Sequence, residues 1–242
     1  MMIGKTIGMF LSSGRYQKII NDYLLYLDLG WKSFSRADIP VEVKLKKIDL
    51  LDKAVRKDCP LKKSVIYRLQ KEFVEENISI YLLLDPLVTW KYLALNKIPT
   101  SEKQLSDMVN YVMSPLARLI MVLYDENPST YMPMNALLCL FYYIQIFNEN
   151  SPILKKAKFY KRQRDSKLKG LIKSAKVILQ LVKSKKLKLR LAFTLNKGIF
   201  LANKFIKNKQ VNLGILDYLL IFLYSIWQFI MIRKRTITKE GL

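Results

Sequence analysis

The sequence predicts an all-α fold, and three observations carry that expectation. Gly and Pro number only 8 each in 242 residues, too few for the many turns of an all-β sandwich. Apolar residues recur with a 3.6-residue rhythm over long stretches. Short polar clusters separate those stretches, with no internal repeat and no low-complexity linker, so a single domain is preferred to two. The chain is 51% hydrophobic and 12% aromatic, which supplies a packed core and excludes a disordered chain.

The elements follow in order. Residues 1–17 hold a weak apolar stretch broken by Gly4, Lys5, Thr6 and Gly8, a poor secretory signal. Residues 61–84 place Leu61, Val65, Ile66, Leu69, Phe73, Val74, Ile78, Tyr81 and Leu84 at helical spacing, and Pro86 is expected to break or kink that element. Thr100 or Ser101 can cap a helix whose first turn holds Glu102 and Lys103. A further helix is expected over 115–124, and a strongly apolar one over 133–147, stopped by Ser151 and Pro152.

From 155 to 209 the charge pattern changes, and Asp165 is the sole acid. Leu168, Leu171, Ile172, Ala175, Ile178, Leu179 and Val182 form one apolar face, with Lys167, Lys169, Lys173, Lys176 and Lys183 mostly on the other. Leu187 to Leu195 alternate as a strand would, yet Leu187, Leu191, Leu195, Ile199 and Ala202 fit a helix, which the neighbouring helices favour. The most apolar run is 218–232, interrupted only by Ser225 and Gln228 and followed by Arg233, Lys234 and Arg235. Alone it falls short of the ~20 residues that cross a bilayer, although extension back to Leu213 gives twenty with Asp217 near one end. Burial as a terminal core helix and docking on a membrane both remain open. The division is thus 1–212, a helical domain, and 213–242, an apolar helix with a basic tail.

Composition also bounds function. Lys and Arg total 42 against 19 Asp and Glu, a formal net charge of +23, which calls for an anionic partner. Histidine is absent, and that removes His-based triads and His-ligated zinc sites. The two cysteines, Cys59 and Cys139, form neither a metal motif nor a disulfide framework. Anionic lipid is favoured over nucleic acid, because Lys predominates in the basic stretch, few aromatics are interleaved, and an apolar C-terminus is left for lipid to explain.

Chelation of a diphosphate through Mg²⁺ needs carboxylates on one helix face, as at i and i+4. Two pairs have that spacing: Asp38/Glu42, with Pro40 between them, and Glu72/Glu76, which reads as a solvated face beside Arg68.

Residues 109–124, VNYVMSPLARLIMVLY, resemble the segment of squalene/phytoene synthases in which a tyrosine precedes Pro-Val-Gly-Arg-Leu. Tyr111 matches the tyrosine, and Ser114, Pro115, Leu116, Ala117, Arg118 and Leu119 follow in register. Gln145 and Asn148 match the family's Gln-x-x-Asn helix, and Asp85 in LLLDPLVTW matches an upstream aspartate. The likeness covers about residues 30–207. It implies an isoprenoid-synthase-like helical bundle around a central apolar cavity, with Mg²⁺ and prenyl diphosphates held by two aspartate-rich motifs. The first motif would fall on Asp38 and Glu42; at the second, Pro152 and Lys156 stand where aspartates are expected.

That departure orders the functional expectations. The preferred one is a non-catalytic relative, binding a prenyl or other phosphate-bearing lipid or serving as a membrane-associated assembly factor with a protein partner. Here Tyr111, Arg118, Gln145, Asn148, Lys155 and Lys156 contact the anion. The alternative is an active Mg²⁺-dependent prenyltransferase joining prenyl diphosphates head-to-head, with Asp38, Glu42 and Asp85 as catalytic carboxylates and Asp38 and Glu42 on the metal. Localisation on the cytoplasmic side, peripheral or C-terminally anchored at a membrane, fits both. Nucleic-acid binding is the third reading.

Overall fold

The computed structural model describes residues 16–36, 38–56, 64–97, 99–148, 160–207 and 215–240. Side chains are described there except at 145–148, 160–163, 215, 229 and 232–240. Among the described residues the chain is an all-α bundle with no strand: α1 (Gln17–Phe34), α2 (Val41–Val55), α3 (Val65–Glu75), α4 (Asp85–Ala94), α5 (Glu102–Leu123), α6 (Tyr131–Asn148), α7 (Tyr160–Lys176), the single turn α8 (Ile178–Leu181), α9 (Lys185–Ile206) and α10 (Ile215–Glu240).

Caps and helix ends set these boundaries. Ser64, Ser101 and Ser184 each accept a hydrogen bond from the backbone N–H three residues on, which satisfies an orphan donor of the first turn. Asn77, Asn96 and Asp125 adopt φ near +50° just past α3, α4 and α5. The next residue's N–H then bonds back to Phe73, Tyr92 and Met121 respectively. Asn and Asp tolerate this left-handed cap in place of Gly.

Several sequence expectations are corrected here. The element expected over 61–84 ends at Glu75 and is followed by the 3₁₀ turn Ile80–Leu83, because Asn77 reverses the backbone. Pro86 opens α4 instead of breaking a helix, a position where its missing N–H costs nothing. The segments on either side of Ser114 form one continuous helix with Pro115 inside it. Within the basic stretch Lys185–Ile206 is helical, with Leu187, Leu191, Leu195 and Ala202 buried, so the strand alternative falls. The stop expected at Ser151 and Pro152 lies outside the described residues.

An aromatic layer joins α1 to α4. The Trp90 ring lies 4.8 Å from Tyr26 and 5.6 Å from Phe34. Gly30 lets it approach: a Cβ there would stand 2.0 Å from Trp90 Cζ2. Tyr23 and Tyr26 donate to the carbonyls of Leu82 and Leu83 at 2.7 and 2.6 Å, so burying these phenols strands no polar group.

The second half of the core surrounds α6, which packs on α5, α7 and α9. Leu137, Leu138, Leu140, Phe141 and Tyr143 are all buried. Gly198 brings α9 close, since a Cβ there would meet Phe141 at 3.1 Å. Glu126 is buried and accepts from the N–H groups of Lys183 and Ser184 at 2.8 and 2.9 Å, a carboxylate at the positive end of α9.

Candidate functional site

The sequence-derived residues fall into three places. Asp85, at the start of α4, lies 4.0 Å from Arg118 on α5. The Arg118 guanidinium stands 5.6 Å from the ring of Tyr131, whose hydroxyl shares a short hydrogen bond with Ser114. Burial holds the Asp85 carboxyl above its ordinary value, against the pull of Arg118. This part of the site is brought together, but Arg118 is more than half exposed.

Asp38 and Glu42 lie elsewhere. Asp38 precedes α2 and binds Arg36 through both carboxylate oxygens, a bond that holds its pKa below the ordinary value. Glu42 is exposed in the first turn of α2, beyond Pro40, so the two acids do not share a helix face. Two residues on, Lys44 reaches Asn96 at 3.4 Å, past the end of α4 opposite Asp85. Ten residues of α4, about 15 Å of rise, separate those ends. The Glu72/Glu76 pair is also divided: Glu72 is buried and paired with Lys18 at 2.6 Å, while Glu76 lies past the end of α3. It is not the solvated face expected, and Arg68 binds Asp22 instead.

Asp38, Glu42 and Asp85 therefore do not fit an Mg²⁺ cluster. Among the described residues, no three His, Cys, Asp or Glu side chains gather closely enough to hold a metal ion.

Tyr111, expected among the anion contacts, is 45% exposed on the outer face of α5. Gln145 and Asn148 belong to the last turn of α6, whose first residue, Tyr131, contacts Arg118. Fourteen residues of helix rise about 21 Å, which separates Gln145 from Arg118. Lys155 and Lys156 lie outside the described residues.

A different surface is built from α9 and α10. Asp217, Ile221, Ser225 and Gln228 fall on one face of α10, and that face meets α9. Lys204 Nζ donates to Asp217 at 2.8 Å, Lys197 Nζ to the Tyr218 hydroxyl at 3.2 Å, and Asn196 Nδ2 to Ser225 Oγ at 3.0 Å and Gln228 Oε1 at 2.9 Å. Asn196, Lys197 and Ser225 are buried in this polar seam. An unmet buried polar group is costly, so the partners on α9 dictate which face of α10 turns inward.

The consequence is an inverted helix. Leu219, Leu220, Phe222, Leu223, Tyr224 and Trp227 are each more than half exposed. Of the two alternatives left open for this run, burial as a terminal core helix does not fit these exposures. No helix among the described residues is long and apolar enough to cross a membrane. The sequence reading missed the seam, although Asp217, Ser225 and Gln228 repeat at helical spacing and signal it.

Compared with known proteins, the chain matches no family model and no curated protein.

Proposed function

We propose that this is a non-catalytic helical protein that docks on an anionic membrane surface through α10 and binds phosphate-bearing lipid. One observation carries the reading: α10 turns its polar residues toward α9 and its leucines and aromatics outward. Six half-exposed side chains entering the interfacial layer contribute about 1 kcal/mol each. Residues 233–235, Arg-Lys-Arg, continue the same helix, and each basic residue near an anionic leaflet adds about 1 kcal/mol. The net charge of +23 attracts that surface from a distance.

The likeness to squalene/phytoene synthases enters this reading as a proposed fold relation, in which the bundle derives from the isoprenoid-synthase architecture and its apolar cavity. Prenyl diphosphate is then one phosphate-bearing lipid whose anion Arg118 can meet. The separation of Asp38 and Glu42 from Asp85 supports the non-catalytic form of the proposal over the Mg²⁺-dependent transferase. An outward apolar helix supports lipid over nucleic acid, since a phosphate backbone gives leucines nothing to bury against.

The test is flotation of the full-length protein with vesicles of phosphatidylcholine, with and without phosphatidylserine, at low and high salt. Binding is expected on the anionic vesicles and is weakened by salt. The variant Leu220→Ser/Leu223→Ser/Trp227→Ser, checked for unchanged helicity, is expected to bind at least about tenfold more weakly. Equal binding by variant and parent, or no binding by either, overturns the proposal.

A further inference from the structure

A cleft of about 430 Å³ opens between α5, α6 and α7, and no described side chain of α9 or α10 lines it. It lies on the side of α5 that carries Ser106 and Asn110, one turn apart. Asn135, Cys139 and Tyr143 face it from α6, and Lys167 from α7.

The polar groups are already ordered by one another. Asn135 Nδ2 donates to Asn110 Oδ1 at 3.1 Å, and the Cys139 thiol lies 3.6 Å from the oxygens of both amides. These contacts occupy the Asn110 oxygen and leave its Nδ2 with no protein acceptor among the described residues. Burial pushes the Cys139 thiol up to about 12, so it is a neutral thiol in this wall.

Lys167 supplies the charge. The sequence placed it on a solvated face, but its Nζ donates to Ser106 Oγ at 3.2 Å and stands 5.7 Å from the ring centroid of Tyr143. Glu102, at 3.7 Å, is too far for a hydrogen bond. The ammonium thus has a neutral hydroxyl as its close partner. Met132, Pro133, Ala136, Leu171 and Val177 make the apolar wall.

A half-sunk cation, a carboxamide N–H₂ with donors to spare and an apolar wall together suit an amphipathic anion. Glu102, so near the same nitrogen, favours one negative charge over two. We propose that this cleft binds a small carboxylate on an apolar body, held by Lys167 Nζ and Asn110 Nδ2. The volume accepts about fourteen water-sized groups, the scale of a bicyclic aromatic acid. This site is independent of the α10 surface and of the membrane reading.

The probe is 2-naphthylacetate, titrated calorimetrically into the full-length protein beside its neutral amide. Saturable one-to-one binding of the acid is expected, with the amide at least about tenfold weaker, as loss of a charge-assisted hydrogen bond implies. Lys167→Met should weaken binding as much, and Lys167→Arg should retain it. Ser174→Trp, at an exposed position on the cleft's lip, should block it without touching the core, which keeps the test valid if Lys167→Met fails to fold. Leu223→Ser on α10 should leave it unchanged. Equal affinity for acid and amide, no saturable binding, full binding by Lys167→Met or Ser174→Trp, or loss in Leu223→Ser overturns the proposal.

Discussion

Helices α6 and α10 hold the two strongly apolar runs that stand out in the chain, and they use that apolarity in opposite ways. Three helices pack on α6, and its Leu137, Leu138, Leu140, Phe141, Tyr142 and Tyr143 are buried. By contrast, α10 packs on α9 through Asp217, Ser225 and Gln228 and sends its leucines outward. Apolar composition therefore states that a helix must leave water somewhere, but the polar partners on its neighbour decide where. For α6 the faces that its neighbours turn toward it are apolar outside the cleft, and the answer is the core. For α10 the neighbour offers Asn196, Lys197 and Lys204, and the answer lies outside the bundle.

The sharpest test of that contrast is a pair of substitutions read by urea unfolding. Leu140→Ala, at a fully buried position of α6, is expected to destabilise the fold by about 3 kcal/mol, as large-to-small core changes do. Leu223→Ser, 54% exposed on α10, should change stability by less than about 0.5 kcal/mol. Comparable losses in the two would break the comparison and make the outer face of α10 a core.

Next in size is the seam. Asn196→Leu removes both hydrogen bonds to α10 and leaves Gln228 facing an apolar group, at an expected cost of about 1–2 kcal/mol. A neutral or stabilising result would mean that apolar packing alone holds α10 on α9.

Two glycines sharpen the comparison further. Gly198→Ala presses a methyl against Phe141 and Leu140 at 3.1 and 3.2 Å and should cost about 1 kcal/mol. Gly170→Ala on α7 meets nothing within 4 Å and should stabilise by about 0.5–1 kcal/mol through helix propensity. Thermal unfolding of both variants checks the opposite signs.

The smallest effect concerns Asp85, whose partner Arg118 stands over the first residue of α6. Burial raises its pKa above the ordinary 3.8, so the folded protein holds this proton more tightly than the unfolded chain does. Its contribution is most favourable below the ordinary value and declines as pH rises from there through the raised one. Stability of the parent should therefore fall slightly across that window relative to Asp85→Asn, as parallel urea titrations at each pH can show.

Much of the fold was legible because the signals were local. Ser101 as a cap, the apolar periodicity of 168–182 and the helical spacing of Leu187, Leu191 and Leu195 all depend on residues within a few turns of each other. The left-handed ends at Asn77, Asn96 and Asp125 were harder to read, since Asn and Asp occupy many other backbone states and no Gly marks these positions. The candidate sites were read less well. Tyr111, Arg118 and Asp85 were taken together from motif order, and only Asp85 and Arg118 meet. Lys167 falls on a solvated face in the sequence pattern, because what makes a site of it with Asn110 and Asn135 is their convergence from three helices.

The sequence by itself determined that the chain is helical, strongly basic, without histidine chemistry, and equipped with one apolar run after Asp217. These follow from composition and from interactions between near neighbours along the chain. Only the tertiary structure decided that Asp38 and Glu42 stand apart from Asp85, that Lys167 turns into a cleft, and that α10 faces outward. Each of those depends on which distant polar group is available to satisfy a buried one, and hydrogen bonding between helices leaves no period in the sequence.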